Sequence, residues 1–293
     1  MPVRIAIVGH GRVGSVFARR FARAGADVMG FVGRDEARAQ AAAAALGVGG
    51  ALDVSALDRA HCVVFAVGDA QLEDAIEGAA RVGGRRCSLW LHTSGSQGLD
   101  VFAPAAALGV RTGSLHPLAP FAASLDEAEI AGAPAVCQGA PRSRSLLERL
   151  CRMLELVPVF CDEHDRAVYH AACALAANGA AALYSLSQDL LERAGGMASE
   201  DSSRIVAALM GAAVTGARRH GASVSLSGPV RRGDAATVSA HVARLSAAAP
   251  DALPAYRALM AQAAAMAQRE GLAPEQVQAV LQSLAGDGAS WRS

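Results

Sequence analysis

Residues 5–35 read IAIVGHGRVGSVFARRFARAGADVMGFVGRD. Gly9, Gly11 and Gly14 stand in G-x-G-x-x-G spacing between an apolar, β-branched run and an amphipathic stretch of helical period, and a second apolar run follows at ADVMGFVG. Strand, glycine turn, helix and strand in that order form the phosphate-binding corner of a doubly wound sheet. Gly9 permits the tight turn, Gly11 offers no side chain to block a pyrophosphate, and Gly14 lets helix and strand pack closely. The helix then begins at Arg12 and Val13 and points unpaired N–H groups and a partial positive charge at the phosphates. Dinucleotide binding is the expectation; a plain glycine-rich turn would need none of this context.

Which dinucleotide is decided where the second strand ends. A carboxylate there binds the ribose 2′-hydroxyl of NAD. Here Gly33 occupies that place and Arg34 follows, which suits a 2′-phosphate through a charge-assisted fork, and so NADP(H). Arg34 also reads as an ordinary solvated charge. Asp35 is either the first acid of the next helix or a displaced ribose ligand.

Outward from this corner the first half keeps one rhythm. The runs RIAIVG, ADVMGFVG, CVVFAVG, CSLWLHTSG, VRTGSLHP, PAVCQG and VPVFC alternate with helical stretches, which means a mostly parallel sheet with helices on both faces. The strands are apolar at nearly every position, as strands covered on both sides are. From Asp165 onward, alanine, leucine and methionine recur at helical spacing. Gly195-Gly196 ends one helix, Ser199 or Asp201 caps the next, Asp234 caps another, and Gly271 with Pro274 separates the last two. The fold class is α/β, a doubly wound Rossmann sheet in residues 1–163 followed by an all-α domain in residues 164–293.

Twenty-seven basic and twenty-seven acidic side chains cancel, so no field gathers nucleic acid or an anionic membrane. A small-molecule substrate is the expected partner. Six scattered cysteines without a Cys-x-x-Cys pair read as small buried hydrophobes in a reducing compartment, and no metal is expected. The start of the chain has no signal-peptide regions and no run spans a bilayer, so a cytoplasmic location is expected.

In a doubly wound sheet, ligands lie beyond the carboxyl ends of the strands. Val67-Gly68-Asp69, His92-Thr93-Ser94-Gly95 and His116-Pro117 stand at three such ends. The glycine and serine positions would let backbone approach a nicotinamide ribose, with Val67 and Thr93 as cofactor-binding and Ser94 as substrate-binding candidates, and His116 would donate to a substrate oxygen. A turn with a satisfied histidine explains the same letters. In the helical half, YHAACALAANGAAAL (residues 169–183) sets His170 and Asn178 on one face, about 12 Å apart along a regular axis. They line a substrate site, or they hydrogen-bond within the core or across a dimer. Ser227, Arg231 and Arg232 lie in a loop that either closes on a carboxylate or is a surface turn.

These pieces, together with LSGPVRRGDAATVSAHVARL (residues 226–245), carry a resemblance. The chain resembles the 6-phosphogluconate dehydrogenase-like superfamily, and more narrowly the proteins that join a Rossmann-like domain to a DUF2520 helical domain. The resemblance implies a homodimer made by the helical domain and NADPH-dependent reduction of a small 2-keto acid such as ketopantoate. Ketopantoate reductases place a lysine and two asparagines in K-x-x-x-N-x-x-x-N spacing on one helix; here the positions are His170, Ala174 and Asn178. Histidine replaces the lysine as general acid. The expected roles follow: His170 protonates the developing alkoxide, Asn178 and His116 orient the substrate, and Ser94, Ser227 and Arg232 bind it. The rivals are an NADP sensor or scaffold without turnover, and a reductase of a cyclic imine.

Overall fold

The computed structural model describes residues 2–82, 87–106, 108–119, 121, 130–161 and 165–285. Eight strands, β1 (Arg4–Val8), β2 (Asp27–Val32), β3 (Gly50–Ala51), β4 (Cys62–Phe65), β5 (Leu89–His92), β6 (Arg111–Pro117), β7 (Pro134–Gly139) and β8 (Val157–Phe160), form one sheet in the order β3-β2-β1-β4-β5-β6-β7-β8. All neighbours are parallel except β6 and β7, which run antiparallel. The order reverses between β1 and β4, so their carboxyl ends open the crevice where such sheets bind ligands. All seven expected strands form; β3, two residues long, was not expected.

Five helices flank the strands: α1 (Arg12–Arg23), α2 (Glu36–Leu46), α3 (Asp69–Val82), the short α4 (Ala103–Ala106) and α5 (Pro141–Met153). Alternate residues of β1 show why its strand is apolar throughout. Ile5 and Ile7 pack with Phe17 and Phe21 of α1 on one face, while Ala6 and Val8 pack with Leu72 and Ile76 of α3 on the other. Period-2 alternation sends neighbours to opposite faces, and both faces are dry.

The helical half holds α6 (Arg166–Ala174), α7 (Ala180–Gly195), α8 (Ser199–His220), α9 (Pro229–Arg232), α10 (Ala235–Ala248), α11 (Leu253–Arg269) and α12 (Pro274–Ala285). A π-helical turn, Leu175–Gly179, stands between α6 and α7. The chain divides into two compact units, residues 1–177 and 178–293, so α6 groups with the sheet. The expected boundary at 163/164 lies outside the described residues. In the second unit, Val238 and Val242 of α10 pack with Ala263, Ala264 and Ala267 of α11 and Val277, Val280 and Leu284 of α12.

Helix termini follow the sequence with one exception. Gly196 closes α7 at φ 59°, and the Asp234 carboxylate accepts from the Thr237 N–H. At α8 the N-cap is Ala198, without a side-chain bond, and Ser199 is the first helical residue rather than the cap. Cys62, Cys87, Cys137 and Cys151 are buried as expected, but Cys161 is exposed and Cys173 half-buried. No described helix is long and apolar enough to cross a membrane.

Candidate functional site

At the end of β1 the chain turns on Gly9, whose φ is 102°. A Cβ there would lie 2.5 Å from the Ala66 carbonyl oxygen, and one on Gly14 would strike the Gly9 carbonyl. Both positions therefore require glycine. Gly11 differs: a Cβ on it would meet nothing within 4 Å. It caps α1 without a side-chain hydrogen bond, so the first N–H groups of the helix stay available to an anion. This open cradle, which a side chain on Gly11 would fill, fits a dinucleotide pyrophosphate.

A cleft of about 710 Å³ opens over the loop, lined by Gly9, Gly11, Arg34, Asp35, Arg38 and Val67 among others. Asp35 is the N-cap of α2, its carboxylate accepting from the Arg38 N–H at 3.0 Å. Its role as a helix cap thus has direct support. Arg38, one helical turn past Arg34, brings a second cation to the cleft; the i, i+4 spacing in RDEAR was the available signal. Arg12 donates to the Phe121 carbonyl at 3.0 Å, Val13 packs against the core, and Thr93 pairs through its N–H with the Phe65 carbonyl.

The ends of β5 and β6 hold a histidine cluster. His92 is fully buried, with Nε2 3.2 Å from the Gly98 carbonyl. A carbonyl only accepts, so Nε2 carries the proton. Burial, helped by the Arg166 charge, pushes its pKa down to about 4. The Ser94 hydroxyl accepts from the N–H groups of Ser96 and Gln97, forming the turn after β5. The Ser96 hydroxyl donates to Asp69 at 2.5 Å.

His116 packs over Gly95 so closely that a Cβ there would lie 2.6 Å from its Cε1. Its Nδ1 is 2.7 Å from the Tyr169 hydroxyl, and the His170 ring lies 6.2 Å away, edge to face. Burial and then the positive neighbours His170 and Arg166 press the His116 pKa down to about 4. Burial also raises the Tyr169 phenol, which bonds to Cys173 as well. Both members of the pair are neutral at physiological pH. Where the phenol donates to Nδ1, the ring proton sits on Nε2 and is left as a donor; in the other tautomer Nδ1–H donates to the phenol oxygen.

Arg166, at the start of α6, is 7 % exposed. One of its nitrogens, Nη2, donates to Ser114 Oγ and Gln138 Oε1, both at 2.6 Å, two residues that face each other across β6 and β7. Its guanidinium lies 5.6 Å from the centre of the Tyr169 ring. Sequence reasoning stepped forward from His170 and missed Arg166. Stepping back along the same helix puts Arg166, Tyr169 and His170 on one face at i, i+3 and i+4.

His170 and Asn178 are both exposed, but the expected regular helix through them is broken by the π turn, so a repeat of four does not run from one to the other. Asn178 opens the second unit. There, Ser227 and Arg232 are exposed. Gly228 and Gly233, at φ 89° and 70°, bracket α9. The Arg231 guanidinium donates to the Glu270 carbonyl at 3.3 Å. The Asp234 carboxyl is lowered chiefly by Thr237, with Arg232 contributing. Among the described residues, no group of three or more His, Cys, Asp or Glu side chains is arranged for a metal ion.

A Rossmann-like domain model matches residues 2–117, and the DUF2520 model, a domain of unknown function, matches residues 133–263. The chain joins a Rossmann-like domain to a DUF2520 domain. The DUF2520 match begins within the sheet, just before β7, so two strands and α5 fall within it. Among solved structures, protein BF3122 from Bacteroides fragilis, provisionally named an NADP oxidoreductase, is 18% identical. The match covers 90% of this chain and 98% of that one, with a TM-score of 0.69. An imine reductase from Pseudomonas sp. is 18% identical over 96% and 92%, TM-score 0.62. A reductive aminase from Aspergillus terreus, solved with NADPH, is 16% identical over 97% and 93%, TM-score 0.61. These likenesses are of fold. No curated protein matches in sequence.

Proposed function

We propose that this DUF2520 protein is an NADP-dependent oxidoreductase that reduces a small carboxylate-bearing carbonyl compound, a 2-keto acid such as ketopantoate. The observation that carries this reading is His116: an imidazole that burial keeps neutral, its Nδ1 bonded to the Tyr169 hydroxyl, at the carboxyl edge of the sheet that also bears the glycine cradle; with the phenol as donor, the ring proton is on Nε2. Gly9 and Gly11 with the α1 amino terminus would hold the pyrophosphate, and Arg34 with Arg38 would hold a 2′-phosphate. The bound nicotinamide supplies the hydride.

His116 orients the substrate by donating Nε2–H to the carbonyl oxygen, and keeps this role at neutral pH because it does not take up a proton. His170, exposed beside it, delivers the proton to the oxygen as negative charge develops there and regains it from water. Asn178, Ser227 and Arg232 belong to the second unit and carry no step in this scheme. A cyclic imine is the second substrate reading, favoured by the near full-length likeness in fold to an imine reductase. Oxidation of NADPH against a panel of 2-keto acids and cyclic imines tests both. Tight NADPH binding without turnover across the panel would leave a sensor, and tighter binding of NADH than of NADPH would remove the role of Arg34.

The proposal includes a homodimer through the helical half. On α8, Leu209 and Val214 are 66% and 68% exposed, with Gly211, Ala212 and Ala213 between them, and a Cβ on Gly211 would meet nothing within 4 Å. Small residues beside exposed apolar ones let a second α8 approach closely. Light scattering on the purified chain should give twice the 29.8 kDa chain mass. A Leu209→Arg/Val214→Arg variant should give a monomer.

A further inference from the structure

We infer that Arg166 determines the charge of the substrate: its buried guanidinium, bonded among the described residues only to neutral oxygens, makes the site at His116 and Tyr169 selective for a carboxylate. This inference rests on the reductase reading and fixes which end of the substrate that site recognises.

A guanidinium is always charged, and taking it out of water is costly unless an anion compensates it. Here Nη2 is satisfied by a hydroxyl and an amide oxygen, and Nε and Nη1 have no hydrogen-bond partner at all. No Arg166 ion pair exists among the described residues. No carboxylate of the described residues holds the side chain there. What it faces is the putting-together of the candidate site: Tyr169, stacked 5.6 Å from its Cζ, whose hydroxyl meets His116, and beyond them the His170 ring. A carboxylate seated against His116 and Tyr169 lies within several ångströms of this cation, at a partly buried place where salt screens little. The anion completes a charge that folding leaves open. A neutral substrate of the same shape leaves it open still.

Arg166 is thus a specificity-determining residue, separate from the exposed Arg232 of the helical half. The test uses oxamate, a small 2-oxo carboxylate mimic, and oxamide, its neutral diamide, on the full-length chain with NADPH. Binding is read by calorimetry and by the shift in Tm, and neither readout needs turnover. Oxamate should bind about 100-fold more tightly than oxamide, two decades being at the low end for pairing a buried charge. Arg166→Met should erase that ratio, and Arg166→Lys should keep part of it. A merely structural role would weaken both ligands together and leave the ratio unchanged. If Arg166→Met does not fold, Arg166→Lys carries the test: a reduced ratio supports the inference and an unchanged one overturns it. Equal binding of oxamate and oxamide by the wild type, or an unchanged ratio in a folded Arg166→Met variant, would overturn the inference. Failure of the reductase reading looks different: no keto acid or imine oxidises NADPH, whatever the oxamate ratio.

Discussion

His116 serves as a donor only when it is neutral and turned the right way, and four neighbours arrange this. Gly95 clears room for the ring, Tyr169 bonds its Nδ1, and burial, with His170 and Arg166 alongside, opposes protonation. Each support can be removed singly. Tyr169→Phe keeps the packing but loses one hydrogen bond, so the ring is free to carry its proton on Nδ1. A loss of about tenfold in kcat is expected, the worth of one such bond, with NADPH affinity unchanged. His116→Phe removes the donor outright and should cost about 100-fold or more. Gly95→Ala should resemble His116→Phe rather than Tyr169→Phe, because a Cβ 2.6 Å from the ring displaces the whole imidazole. Steady-state kinetics on the three variants checks the order. Equal kcat in His116→Phe and the parent would exclude His116 from the reaction.

The glycine loop shows how one element serves both packing and binding, and its glycines separate the two. Gly14→Ala would drive a methyl group into the Gly9 carbonyl, backbone against backbone where neither yields. It should lower Tm by several degrees, since ~1–3 kcal/mol is typical of overpacking. Gly11→Val meets open space, so it should keep the parent Tm and lose NADPH binding instead. Calorimetry and thermal melts on the pair check this; loss of stability with Gly11→Val would show that the space is needed by the protein itself. This loop was also the most legible part of the sequence, because its chemistry is local: a turn, a close approach and a helix start are written in adjacent letters. The seven apolar strands were legible for the same reason. The antiparallel pairing of β6 with β7 was not, because a strand's direction leaves no trace in its periodicity. Nor was the π turn at Leu175–Gly179, since alanines accept either winding. Tyr169 and Arg166 were missed because their meaning comes from His116 and Gln138, 53 and 28 residues away.

At the scale of the molecule, these buried imidazoles tie folding to pH. His92 and His116 both titrate at about 4 in the folded chain, against 6.5 for a free imidazole. The sign follows from proton counting: between those values the unfolded chain binds protons that the folded one refuses, so stability is full above pH 6.5 and falls as pH drops towards 4. For His92, fully buried, the fall approaches about 1.4 kcal/mol per pH unit; for His116, partly open to water, it is smaller. The carboxyls that folding lowers, Asp53, Glu192 and Asp234, add stability that is full above their ordinary values of 3.8 to 4.5 and is lost only as pH falls below them. The raised cysteines and tyrosines matter only in alkali. Among the described residues, the window between pH 6.5 and 4.5 therefore separates the two histidines from the lowered carboxyls and from the raised thiols and phenols. Urea unfolding followed by circular dichroism should show stability declining steadily across that window. His92→Leu should flatten the decline more than His116→Phe does, whatever either variant does to stability at pH 7. A parent protein equally stable at pH 7 and pH 4.5 would mean that water or a counter-charge already reaches both rings, and the neutral His116 on which substrate orientation depends would be lost with it.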